Sequence, residues 1–156
     1  MRAQHKKQAL ERFDVRLRLQ IYREFVSRGR APAATDLSRQ LYCSPRTVRA
    51  GLERLAGNHV IALEAGAGEI LRAAPFWATP TAFQVESGRK NWWASCIWDA
   101  LGIPAMLGRD VRILTSCGCC GEALTPAVRG GKVQKIRAVI HFAVPARRWY
   151  EDLVFT

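Results

Sequence analysis

Apolar residues in the first third of the chain recur every three or four positions, and that spacing predicts helices. Val15, Leu19, Tyr22 and Val26 fall on one stripe that stops at Gly29. Leu37 and Leu41 mark a second, short helix that Thr35 can cap. Ser44-Pro45 reads as an N-cap followed by proline at the first helical position, and Val48, Leu52 and Leu55 carry a third helix to Gly57. The period then changes. Val60 to Leu63, the Gly66-Ala67-Gly68 turn and Ile70 to Leu71 predict a β-hairpin. Three helices and a hairpin predict a winged helix-turn-helix domain over residues 1–75.

The stretch from Ala73 to Pro80 is broken by Pro75 and Pro80 and predicts the join to a second domain, residues 76–156. There the pattern predicts strands at Ala82 to Val85, Val111 to Thr115, Leu124 to Val128, Val133 to Ile136 and Ala138 to Val144. A helix is expected through Asn91 to Leu101 as far as Pro104, and a brief one from Pro145 through Trp149 and Asp152. Val154 to Thr156 reads as the start of a further strand. The fold class is α+β: a winged helix followed by a small mixed α/β domain.

Composition narrows the class. Hydrophobic residues at 49% and charged residues at 24% of 156 positions suit a folded globular chain. No apolar run approaches the roughly 20 residues that span a bilayer. Met1 to Lys7 is polar and basic, without a signal peptide's apolar stretch, so a cytoplasmic protein with no membrane partner is expected. In that compartment the odd set of Cys43, Cys96, Cys117, Cys119 and Cys120 stays reduced, available as ligands or nucleophiles. A net charge of +11 attracts polyanions, and Arg46, Arg49 and Arg54, expected to point outward from the third helix, are the candidate nucleic-acid contacts. Arginine-rich coding in a high-GC genome gives the same bias with no binding role, and these arginines then form a solvated face.

The candidate chemistry lies in the second half. Cys96 and Asp99 are three apart, so on a helix they share a face. A thiolate binds soft cations or attacks carbon, and a carboxyl group shielded by Trp92, Trp93 and Trp98 can hold and donate a proton. The plainer reading is a buried cysteine beside a surface aspartate. Cys117 and Cys120 have the spacing of half a zinc knuckle, Cys119 adds a third thiol to that loop, and no second C-x-x-C follows. Cys96 and His141 could complete a zinc set, although His141 in an apolar strand reads as a core histidine. Cys43 reads as a small buried hydrophobe.

The block from Trp93 to Arg109, WASCIWDALGIPAMLGR, followed by a strand into Cys117 and then by Ile140-His141-Phe142-Ala143-Val144-Pro145, resembles the alkylmercury (organomercurial) lyases in order and spacing. The resemblance implies mercury resistance by protonolysis of a carbon–mercury bond. Cys96 would take the organomercurial as a thiolate, and Asp99 would move protons between thiols and the leaving carbanion. It implies no organic cofactor, Hg(II) as product and ligand, cytosolic thiols as partners and a mercuric reductase as Hg(II) acceptor. The family's second catalytic cysteine falls where this chain has Arg137 and Ala138. The loop thiols Cys117, Cys119 and Cys120 are then the candidates for a second mercury ligand. The alternatives are a non-catalytic thiol protein binding mercury, copper or zinc, and a metal- or thiol-responsive winged-helix regulator.

Overall fold

The computed structural model describes residues 2–142, 144–149 and 151. Among these the chain is α+β, with four α-helices and a nine-stranded antiparallel sheet. Helix α1 (Arg2–Arg28) is followed by α2 (Ala34–Leu41) and α3 (Pro45–Gly57). Strands β1 (Ala62–Leu63), β2 (Ile70–Ala73), β3 (Phe76–Trp77), β4 (Gln84–Ser87) and β5 (Lys90–Trp93) precede α4 (Ile97–Leu107). The chain continues through β6 (Val111–Ser116), β7 (Ala123–Leu124), β8 (Ala127–Arg129) and β9 (Lys132–Val133), and ends its described part in a 3-10 turn at Ala146–Arg148. The sheet order is β1-β2-β3-β5-β4-β6-β8-β9, with β7 on β6. No helix among the described residues is long and apolar enough to cross a membrane.

Local signals explain the helical end. The Ser44 side chain accepts the Thr47 N–H at 3.1 Å, and Pro45 occupies the first helical position, where its missing N–H costs nothing. Thr35, expected as a cap, lies inside α2 instead, and Ala33 holds the cap position. Leu17, Ile21 and Phe25 of α1 pack with Leu37, Val48 and Leu52 in one buried cluster. The α1–α3 crossing is close at Gly51, where a Cβ would stand 2.6 Å from a Leu17 methyl. Arg54, expected to face outward, instead clamps Asp14 of α1 through Nε at 2.8 Å and a second guanidinium nitrogen at 2.6 Å. Helix packing thus takes it from any nucleic-acid surface, while Arg46 and Arg49 remain exposed.

The sheet runs through residue 75 without interruption. β2 pairs with β3 through Arg72 opposite Trp77, β3 with β5 through Trp77 opposite Trp93, and β5 with β4 through Trp93 opposite Gln84. The expected linker is therefore partly strand, because Phe76 has a place both in the ladder and in the core. Its ring stacks on Phe25 at 5.4 Å and 8°. Trp92, Val85 and Ile113 share one fully buried face, and the Trp92 indole donates to the Phe25 carbonyl at 2.9 Å. Helix α1 is thereby seated on the sheet.

That seat comes closest at Gly29, whose φ of +69° turns the chain out of α1. A Cβ there would lie 2.4 Å from the Asn91 carbonyl oxygen. Gly29→Ala is expected to cost about 2–4 kcal/mol, from the left-handed backbone and the forced separation of α1 from β5. Urea unfolding reads this directly, with Gly57→Ala, where a Cβ meets nothing within 4 Å, as the neutral control.

Two further expectations change. Asn91 to Trp93 is strand, not helix, and α4 starts at Ile97 and runs past Pro104 to Gly108 in the left-handed cap position. Residues 138–142 form no strand, since β9 is the last strand in the order and gives them no partner. His141 is accordingly exposed and not a core histidine. The strand expected at Val154 to Thr156 lies outside the described residues.

Candidate functional site

Cys96 stands where a strand becomes a helix. Beyond Trp93, the Ala94 N–H continues the ladder to the Phe83 carbonyl at 3.0 Å, and the Ala94 carbonyl accepts the Thr81 hydroxyl at 2.6 Å. Cys96 is then the N-cap of α4 in extended conformation (φ −151°, ψ 176°), and its carbonyl accepts the Ala100 N–H at 2.9 Å. Its sulfur makes no capping hydrogen bond and is half-buried. Cys96 and Asp99 thus bracket the first turn of α4, with the cysteine at its mouth and not on its face.

Asp99 is buried at 7% exposure, and its surroundings differ from those expected. Its Oδ2 accepts the Ser95 hydroxyl at 2.6 Å and lies 3.2 Å from a terminal guanidinium nitrogen of Arg72. Two of the three expected tryptophans are occupied elsewhere, while Trp93 stands in the sheet row of Trp77 and Arg72. Trp92 faces the Phe25 carbonyl, and Trp98, 55% exposed, joins Phe142 and Trp149 in an aromatic cluster with centroids 5.4–6.3 Å apart. Arg72 was missed because it belongs to β2, in the first half of the chain. Its signal was an arginine inside the apolar strand Ile-Leu-Arg-Ala, a residue that needs a carboxylate partner when buried. Tyr22 of α1 stands beside this pair. Its hydroxyl donates to the Ala74 carbonyl at 2.8 Å, and burial raises its pKa against the opposing pull of Arg18.

The cysteine-rich loop is placed by the sheet register. Trp93, Gln84 and Leu114 form one row across β5, β4 and β6. Strands β5 and β6 run in the same direction, so Cys96, three residues past Trp93, and Cys117, three past Leu114, leave the same end of the sheet. Two strand spacings, about 10 Å, separate their lines. The loop is a closed turn between β6 and β7: the Cys117 N–H donates to the Glu122 carbonyl and the Gly121 N–H to the Cys117 carbonyl, both at 2.8 Å. The backbone N–H groups of Cys120 and Cys119, and then the Cys120 thiol, hydrogen-bond to the Cys117 sulfur and lower its pKa from the ordinary thiol value. Cys117 is half-buried, and Cys119 and Cys120 are exposed. No group of three or more His, Cys, Asp or Glu side chains set to hold a metal ion occurs among the described residues, so the zinc set with Cys96 and His141 is not assembled.

The alkylmercury lyase family profile (MerB) matches residues 76–155, the segment that holds Cys96, Asp99 and the loop. The chain belongs to the alkylmercury lyase family. Among solved structures that resemble it is the mercury-bound form of MerB2, at 27% identity and a TM-score of 0.59 over 81% of this chain. The present chain spans 66% of that chain's length. No curated protein sequence matches.

The family's match begins at Phe76, whereas Arg72 precedes it. The candidate group therefore takes Arg72 from before the division expected at residue 75 and Ser95, Cys96 and Asp99 from after it. The fold brings Cys96, Ser95, Asp99 and Arg72 together and sets the Cys117 loop at the same sheet end. Arg46 and Arg49 sit on α3, apart from the elements that build this group. Cys43 packs against the helical core, as a small hydrophobe does, and its carbonyl accepts the Ser38 hydroxyl at 2.5 Å.

Proposed function

We propose that this chain is an organomercurial lyase that works with Cys96, Asp99 and a thiol of the Cys117 loop. The observation that carries this reading is a half-buried cysteine at the mouth of α4, one turn from a carboxylate held by Arg72 and Ser95, in a member of the alkylmercury lyase family. Cys96 exchanges with the small thiol that delivers R–Hg, giving Cys96-S–Hg–R and releasing that thiol. A second thiol, from Cys117, Cys119 or Cys120, passes its proton to the Asp99 carboxylate as its sulfur bonds to mercury. Added electron density weakens the mercury–carbon bond, which breaks as Asp99 returns the proton to carbon. The products are R–H and Hg(II) held by two sulfurs. No organic cofactor enters, small thiols of the cytosol deliver substrate, and Hg(II) leaves to thiols or to a mercuric reductase.

The aromatic cluster of exposed Trp98 and Phe142 with half-buried Trp149, which starts two residues after Cys96, offers apolar surface for the organic group. Residues 1–75, with three helices and the β1–β2 pair, are read as a winged-helix module whose role is to seat the sheet and supply Arg72. The clamp of Arg54 on Asp14 disfavours the regulator reading.

Phenylmercury with excess small thiol is expected to yield benzene in the presence of the protein. Tight mercury retention with no benzene would replace the lyase with a non-catalytic soft-metal protein, the reading that the Arg137-Ala138 replacement favours. Serine at Cys117, Cys119 or Cys120 is expected to slow release at whichever position supplies the second thiol. Unchanged mercury binding in all three variants would exclude the loop.

A further inference from the structure

The loop between β6 and β7 contains more sulfur than a second ligand requires, and its closed turn brings Cys117 and Cys120, three residues apart, back toward each other. The Cys120 thiol is near enough to the Cys117 sulfur to help lower its pKa. The turn that holds them is fixed by two backbone hydrogen bonds of 2.8 Å and by Gly121 at φ +74°. Both sulfurs reach solvent, while the backbone N–H groups of Cys119 and Cys120 point at the Cys117 sulfur and can offset negative charge there.

We propose that Cys117 and Cys120 form a self-contained two-sulfur site for a thiophilic d10 cation, here Hg(II), that fills without Cys96. Two cysteines three residues apart on a closed turn can bring both sulfurs onto one cation by side-chain rotation. Two thiolates satisfy a cation that accepts linear coordination. They do not satisfy a tetrahedral zinc, for which the described residues provide no third donor nearby. Binding releases the two thiol protons as two S–Hg bonds form. The site's place in turnover rests on the lyase reading. Mercury shared between Cys96 and Cys120 is attacked by the Cys117 sulfur, the Cys117 S–Hg bond forms, and the Cys96 S–Hg bond breaks. The proton lost by Cys117 goes to Cys96, which is free for the next substrate.

The test uses mercuric chloride and the full chain carrying Cys43→Ser and Cys96→Ser, in the presence of a small monothiol competitor. Near-ultraviolet thiolate-to-mercury absorption is expected to saturate at one cation per chain. Adding Cys117→Ser or Cys120→Ser is expected to weaken binding about 10²–10⁴-fold, since each removes one arm of a two-point attachment. Adding Cys119→Ser is expected to leave it intact. Thermal unfolding of each variant confirms folding. Loss of tight binding with Cys96→Ser alone, or an equal loss with Cys119→Ser, overturns the proposal. Benzene release by the unmutated chain is scored separately, so failure of the lyase reading and failure of this site give different results.

Discussion

Asp99→Asn is expected to abolish hydrocarbon release while leaving Cys96 able to hold mercury. Asparagine has nearly the same shape, and its amide oxygen can still accept from Ser95 and Arg72, but it cannot take a proton from a thiol and return it to carbon. Removing a positioned proton carrier costs typically 10²–10⁴ in rate, about 3–5 kcal/mol of barrier. The measurement is benzene release from phenylmercury at saturating thiol, alongside retained mercury after gel filtration. Mercury bound with no benzene assigns the proton transfer to Asp99. Benzene at the unmutated rate would remove the carboxylate from the chemistry and leave Cys96 and solvent to account for it. The substitution also removes the Asp99 charge from its ion pair with Arg72. Breaking a buried pair from one side can cost about 3–5 kcal/mol, so thermal unfolding must accompany the assay. Ser95→Ala serves as the milder companion, because it keeps the carboxylate and its ion pair and removes only the hydroxyl that orients it.

The dependence on Arg72 shows what sequence patterns can reach. The Ser44-Pro45 start of α3 and the stop at Gly29 are written in residues a few positions apart, and both were legible. The C-x-x-D spacing puts Cys96 and Asp99 at the same end of α4, but not on the shared helix face expected, because Cys96 is the N-cap. The strand at Asn91 to Trp93 was not legible. Two adjacent tryptophans in an apolar run fit a helix or a strand, and the decision comes from pairing, with Gln84 of the β4–β5 hairpin and Trp77 of β3 flanking Trp93 in the sheet. The absence of a strand over 138–142 has the same cause in reverse. That run is apolar enough for a strand, but the sheet order ends at β9 and leaves it without a partner. Arg54 likewise looked like a solvated residue until α1 supplied Asp14, 40 positions earlier. Local chemistry was visible in the sequence; the partners that tune it were set by tertiary pairing.

Trp92→Ala is expected to be the most damaging truncation in the core. Trp92 is fully buried and is the largest such side chain in the structure. Its removal leaves a cavity between β5 and α1, and aromatic-to-alanine changes of this kind cost about 3–5 kcal/mol. The Phe25 carbonyl also loses the indole N–H but keeps the Gly29 N–H at 2.8 Å, so this adds the net value of one hydrogen bond, about 0.5–1.5 kcal/mol. Against a typical total stability of about 5–15 kcal/mol, the sum threatens folding at ambient temperature. Trp92→Phe separates the two contributions, since it keeps most of the ring volume and removes only the hydrogen bond. It is expected to cost about 0.5–1.5 kcal/mol, with the urea midpoint as readout. If Trp92→Ala shifts the midpoint no more than Trp92→Phe does, the cavity contribution is absent and α1 is not held on the sheet by this contact. The expected large difference would tie the candidate site to the helical end of the chain. Phe25 and Tyr22 lie on the same helix, and Tyr22 in turn anchors the Ala74 carbonyl, two residues beyond the arginine that pairs with Asp99.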